Sequence, residues 1–198
     1  MKKLFLMGAI ALASLGLCSC DEASKLAEKV DGTWAGAPER LIDSQASSAT
    51  TLDTYTFTRD GESRGGKLRV VSLVSTTGSI MGSAAIVQPF SLTAAATAQI
   101  DGTWLAIDDD EIQVNLDLRT LQVNVDPDAV VLSSQMLTGA TSSAVDSLKP
   151  SLVNTIDAQV RQAISNRYLG IKKLDDVEVK GNLLEMEIGH NKYVLNRQ

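Results

Sequence analysis

Leu92-Thr93-Ala94-Ala95-Ala96-Thr97-Ala98-Gln99-Ile100-Asp101-Gly102-Thr103-Trp104-Leu105-Ala106 is the stretch on which the fold turns. Leu92, Ala94, Ala96, Ala98, Ile100, Gly102, Trp104 and Ala106 fall on one face, with Thr93, Thr97, Gln99, Asp101 and Thr103 on the other. Side chains alternate across a β-strand with period two, so the pattern reads as one long strand with a dry face and a wet face. The dry face is unusual in being mostly alanine. Small side chains leave space, which is filled either by a helix packing close or by a ligand.

The same alternation continues on the C-terminal side. Asp108-Asp109-Asp110 reads as a turn, after which Ile112, Val114, Leu116 and Leu118 alternate with Gln113, Asn115 and Asp117. A tight turn at Arg119-Thr120 leads to Leu121, Val123 and Val125, which gives an antiparallel meander with one wet face. On the N-terminal side, Tyr55 and Phe57 alternate with threonines, and Leu68 to Val74 is a β-branched run suited to a buried strand. Residues 75–90 are weaker, being broken by Ser, Gly and Ala and closed by Pro89. The chain ends in Val177-Glu178-Val179, a Gly181-Asn182 hairpin turn, Leu184 to Ile188, a turn from Gly189 to Lys192, and Tyr193-Val194-Leu195.

One long helix interrupts the strands. Val145, Leu148, Leu152, Ile156, Val160 and Ile164 recur every three or four residues, which predicts an amphipathic helix over 141–168. Pro150 suits a first turn or a kink, and Gly170 a stop. The fold class is therefore mainly β: an antiparallel meander or barrel, with one long amphipathic helix before the C-terminal strands.

The start of the chain has a different character. Lys2 and Lys3 precede an uncharged apolar run from Leu4 to Leu17, too short to span a bilayer as a helix and suited to a secretory signal. The run ends in Leu17-Cys18-Ser19-Cys20, which resembles the lipobox of bacterial lipoproteins. In that resemblance Leu17 stands at −3, small Ser19 at −1, and Cys20 becomes the lipidated N-terminus. Cys18 competes, but bulky Leu17 would then occupy the position where the family has a small residue. The implied organisation is a signal peptide over 1–19, a lipid-anchored tether over 20–30 with a hint of helix at Leu26 and Val30, and a single β-barrel-like domain over 31–198. The expected partner is the membrane, reached through the N-terminal lipid, and the expected location is the outer membrane, on its surface or periplasmic face. Asp21 and Glu22 resemble the surface-export signal of Bacteroidota lipoproteins. In enterobacteria the same Asp resembles an inner-membrane retention signal, and two acids can also simply solvate a tether.

Removal of residues 1–19 would leave 16 basic against 24 acidic residues, a net charge of −8. An acidic domain is poorly matched to nucleic acid or to anionic headgroups. With Cys18 removed and Cys20 acylated, no thiol remains for a disulfide, so stability must come from a hydrophobic core. Aromatics make up only 4% of the chain, which argues against the stacked platforms of carbohydrate binders.

Asp31-Gly32-Thr33-Trp34 recurs as Asp101-Gly102-Thr103-Trp104, each time where an extended segment carries a large aromatic beside a glycine. A short pre-helix followed by Gly32-Thr33-Trp34 resembles the Gly-x-Trp opening of lipocalin-like (calycin) barrels. That resemblance implies a role for Arg197, stacked over Trp34 from the last strand. It departs from the family in lacking a Thr-Asp-Tyr motif and in having about three strands after the helix. Trp34, Ala96 and Trp104 are the residues expected to line a pocket if the barrel holds a small apolar ligand. The alternative is an interaction subunit of an envelope assembly with no ligand.

Nothing in the sequence carries catalysis, and no cofactor-binding pattern is present. Gly61-Glu62-Ser63-Arg64-Gly65 has the letters of a nucleophile elbow, but a strand rather than a helix is expected to follow it. His190, the chain's one histidine, lies in an expected turn. Asp108 to Glu111 lacks the spacing that wraps calcium. No metal or enzymatic site is therefore expected.

Overall fold

The computed structural model describes the backbone of residues 15–80, 90–133 and 139–198, with side chains over 22–79, 90–133 and 147–198. The order is α1 (Leu15–Val30), β1 (Gly32–Ala35), β2 (Glu39–Asp43), β3 (Ser47–Arg59), β4 (Gly65–Ile80), β5 (Phe90–Ala106), β6 (Ile112–Leu116), a 3-10 turn (Leu118–Thr120), β7 (Gln122–Val125), β8 (Val131–Ser133), α2 (Gly139–Leu169), β9 (Lys173–Lys180), β10 (Leu183–Ile188) and β11 (Asn191–Arg197).

Three long strands, β3, β4 and β5, pair antiparallel along nearly their whole length and form the spine. One half of this spine belongs to a closed barrel. There β1 pairs with Gly32–Ala35 against Phe57–Thr54 of β3, β11 joins β1 to β10, and β9 joins β10 to β6, which returns to β5. The ring of β1, β3, β4, β5, β6, β9, β10 and β11 is an eight-stranded antiparallel barrel, consistent with a lipocalin-like fold. Closure removes the exposed strand edges that an open sheet would present. The other half of the spine is an open sheet, flanked by β2 on β3 and by β7 and β8 on β5.

The meander expected over 112–125 folds differently. Strands β6 and β7 do not pair with each other. They lie end to end along β5, at Gly102–Ala106 and then at Ala96–Gln99. The turn at Arg119-Thr120 jogs the chain sideways instead of reversing it. The Asp117 side chain accepts from Arg119 N at 3.0 Å, and the Thr120 hydroxyl both donates to the carbonyl of Asp101 (3.2 Å) and accepts from its N–H (2.9 Å). Below the jog, β6 turns its free edge to β9 and the barrel closes.

Weak strand propensity at 75–80 did not end β4, which runs to Ile80 in register with β5 down to Phe90. A paired neighbour along the whole length satisfies the backbone whatever the side chains prefer. Pro89 lies outside the described residues. The expected helix is α2, with Ile156, Val160 and Ile164 all at 2% exposure or less. Leu148, expected on the buried face, is 41% exposed, whereas Leu152, one turn later, packs on Phe90 and Leu132; the side chain of Val145, expected on the same face, lies outside the described residues.

The tether region also acquires structure. Ala23, Leu26, Ala27 and Val30 follow the i, i+3, i+4, i+7 spacing of one helix face, and all four are buried in the main core. Helix α1 touches β3, β5 and β9, strands from different sides of the ring, so it lies across one end of the barrel. The described backbone of α1 includes Cys20, whose side chain lies outside the described residues, as do residues 1–14 of the expected signal peptide.

Candidate functional site

The barrel interior is built from residues that alternation points inward. Phe57 and Leu68 share a register row with Gly32 and Gly102, and the next row holds Trp34, Tyr55, Val70 and Ile100. Trp34 is fully buried and Trp104 is 3% exposed, and Phe57 meets Trp104 edge to face with centroids 5.5 Å apart. The two Asp-Gly-Thr-Trp copies thus do similar work from different strands, each setting an indole in the core beside a glycine. At Gly102 a Cβ would fall 2.3 Å from the Asn115 carbonyl oxygen of β6. At Gly32, where φ is +131°, it would fall 2.9 Å from the Arg197 guanidinium.

The floor is knitted by Arg197. Its guanidinium stacks 4.2 Å from the Trp34 ring centroid, which is the placement implied by the resemblance. It also donates to the carbonyls of Lys29 (2.8 Å) and Asp31 (3.1 Å), the unpaired acceptors at the end of α1. Trp34 Nε1 donates to the Val30 carbonyl at 2.7 Å, and Asp31 accepts from Arg59 N at 2.9 Å. Helix, first strand and last strand are therefore locked together at one point.

The opposite mouth is filled by the end of α2. Arg167 donates to Asp53 at 3.0 Å and to Glu39 at 2.8 Å, and Asp53 also accepts from Thr51 at 2.7 Å. The Tyr168 hydroxyl lies 3.2 Å from that of Ser72. Thr51, Asp53 and Ser72 are all at 5% exposure or less. Burial acts to lower the Arg167 pKa, but Asp53 and Glu39 more than offset it and hold the guanidinium charged. Burial raises the phenols of Tyr55 and Tyr168 above their usual range, and the negative charge of Asp53 adds to this. Chemically this is a neutralised latch. The carboxylate is committed to a guanidinium, and among the described residues no histidine or thiol is bonded to it.

From the mouth outward, α2 lies along the alanine face of the open-sheet half. Leu152 packs at Phe90 and Tyr168 reaches Ser72, which pairs with Ala98. The sixteen steps of helix from Leu152 to Tyr168 span about 24 Å at 1.5 Å each, and Phe90 to Ala98 spans about 26 Å. Helix and strand match in length, so Ala94, Ala96 and Ala98 admit α2 closely. Ala96 is 6% exposed and pairs with Val74 and Val125. It stands eight residues along β5 from Trp104, and Trp34, Ala96 and Trp104 are all buried. Trp104 Nε1 has no hydrogen-bond partner among the described residues.

The polar latch was missed at the sequence level. Asp53, Ser72, Arg167 and Tyr168 sit on three elements, and only the buried-face position of Asp53 between Thr51 and Tyr55 signalled a polar group turned inward. Ser63 and His190 stand in ordinary turns. Ser63 sits in the β3–β4 turn, where its hydroxyl bonds the Gly65 backbone and a strand follows. His190 is exposed in the β10–β11 turn. A cleft of about 510 Å³ is lined by acidic residues of the β5–β6 turn, β9 and β10, by Lys192, and by the apolar Val177, Met186, Tyr193 and Val194. Desolvation, then Asp109, Asp108, Asp176 and Glu111, raise the Asp110 carboxyl. Among the described residues, no group of three or more His, Cys, Asp or Glu side chains is placed to hold a metal. No described helix is long and apolar enough to cross a membrane.

Compared with known proteins, the chain matches no protein-family model and no curated protein sequence.

Proposed function

We propose that this chain is a bacterial envelope lipoprotein, lipidated at Cys20, whose lipocalin-like barrel acts as an interaction module rather than as a carrier or an enzyme. The observation that carries the reading is the filling of the barrel. Trp34, Tyr55, Phe57, Trp104 and Tyr168 are each at 4% exposure or less, α1 crosses one end, and the Arg167–Asp53 latch sits in the other. Ligand carriers of this kind need a concave, largely apolar and pre-formed site. Here the bulky inward side chains and the seated helix occupy the space such a ligand would take. The anchor rests on Leu17-Cys18-Ser19-Cys20. Two acyl chains suffice for stable attachment at about 0.8 kcal/mol per buried methylene, so no spanning segment is required.

Labelled palmitate should enter the wild type and not Cys20→Ala. Loss of label only in Cys18→Ala would move the site, and equal labelling of both variants and wild type would sink the anchor. A fluorescent fatty acid should give no saturable quenching of Trp34 and Trp104. Saturable quenching would overturn the interaction reading in favour of an apolar-ligand carrier.

A further inference from the structure

We propose that the α1 end of the barrel is held flat against the bilayer surface, with the turns at 60–64 and 107–111 facing the headgroups and the α2-covered sheet pointing away. This rests on lipidation at Cys20 and adds to it an orientation. The link between the lipid and the folded domain is short. Ala23 has no exposed surface, and Leu26, Ala27 and Val30 follow it into the core. Only Asp21 and Glu22 separate Cys20 from Ala23. As helix, the backbone in which the structure places Cys20, the rise from Cys20 to Ala23 is about 4.5 Å. Even fully extended it is about 10 Å. The headgroup layer of one leaflet is itself roughly 5–8 Å deep. An acyl chain on Cys20 therefore brings the first buried turn of α1 to the edge of the headgroups, with no slack for the domain to tumble.

Nor can α1 swing out as a hinge. Arg197 ties its last carbonyls to β11, Trp34 Nε1 ties Val30 to β1, and Asp31 is tied to Arg59 at the end of β3. The orientation of α1 is the orientation of the barrel. At the same end lie the β3–β4 turn, which follows Arg59, and the β5–β6 turn, which follows Ala106. These turns carry Asp60, Glu62, Asp108, Asp109, Asp110 and Glu111 against the one base Arg64, so the surface that fits is zwitterionic, since anionic lipid would repel the excess of acids. Thr77 pairs with Thr93, thirteen residues along β5 from Ala106. Allowing for the usual strand tilt, this places it about 30 Å farther from the membrane.

The test uses the lipidated full chain in phosphatidylcholine vesicles containing a headgroup-nitroxide lipid. Asp109→Cys and Thr77→Cys, both at exposed positions, are labelled separately with a fluorophore. The Cys20 sulfur is blocked by its thioether, so only the new thiol reacts. The label at 109 should be quenched several-fold more than the label at 77. A twelve-residue Gly/Ser insert between Glu22 and Ala23 should bring the two close to equality. Equal quenching without the insert, stronger quenching at 77, or a difference that survives the insert would each overturn the proposal. Mass spectrometry of Cys20 in the same samples separates the two failures. An unmodified Cys20 sinks both the anchor and the orientation, whereas a lipidated Cys20 with equal quenching sinks the orientation alone.

Discussion

Replacing Arg167 with methionine tests whether the end of α2 seals the barrel. The Arg167 side chain is 18% exposed, that of Asp53 only 6%, and that of Glu39 34%. Removing the guanidinium leaves Asp53 with Thr51 as its one remaining side-chain donor at 2.7 Å. Glu39 is exposed enough to turn back to water, so its loss counts for little. Removing one partner of a buried pair costs about 3–5 kcal/mol, because the other charge stays buried. Methionine keeps much of the packing of the arginine stem, and part of the arginine's own desolvation is relieved, which places the expected loss near the lower end, at about 3 kcal/mol. The assay is urea unfolding followed by the fluorescence of Trp34 and Trp104, both buried in the barrel. A second arm adds Asp53→Asn to Arg167→Met. With the charge gone the double variant should be more stable than Arg167→Met alone, with a coupling of about 1.5–3 kcal/mol between the two sites. A single-variant loss below about 1 kcal/mol, or strict additivity, would refute the view that this pair fastens α2 into the mouth.

Gly32→Ala should cost about 1–3 kcal/mol, since it places a Cβ at φ +131° and 2.9 Å from the Arg197 guanidinium; an unfolding midpoint unchanged from wild type would show that the floor is not strained. Ile156→Asp should cost several kcal/mol by burying an unpaired charge at a residue 2% exposed, and Ala96→Phe about 1–3 kcal/mol by overpacking the seat of α2; a stable Ala96→Phe variant would mean that space remains beside the alanines. The raised phenols of Tyr55 and Tyr168 predict a loss of stability in alkali. An unfolded tyrosine ionises near pH 10 while the buried ones resist, so their contribution is complete below about pH 10 and falls as pH rises beyond it, towards their folded values. Urea midpoints at pH 8 and pH 11 should therefore drop more in the wild type than in Tyr168→Phe, and equal drops would contradict the assignment.

The period of the side chains was enough to read most elements, because alternation and 3.6-residue recurrence are local consequences of which face is wet. Leu92 to Ala106 became β5, the predicted helix over 141–168 became Gly139–Leu169, and the Gly181-Asn182 turn joined β9 to β10. Gly32, Trp34 and Arg197 were legible as a group only through the resemblance to lipocalin-like barrels, since periodicity links none of them to another. Periodicity says which face a residue takes but not which strand lies beside it. The tertiary structure alone decided that β6 and β7 share β5, since a jog and a hairpin leave the same alternation on either side and differ only in what the Asp117–Thr120 turn bonds to. It alone turned residues 23–30 from tether to floor, because a few apolar residues in a short segment stabilise a helix only when a barrel end is there to cover them. The latch came from the same source. Asp53 and Arg167 are 114 residues apart, and a carboxylate finds its guanidinium at that separation only after the closed ring has excluded water from both.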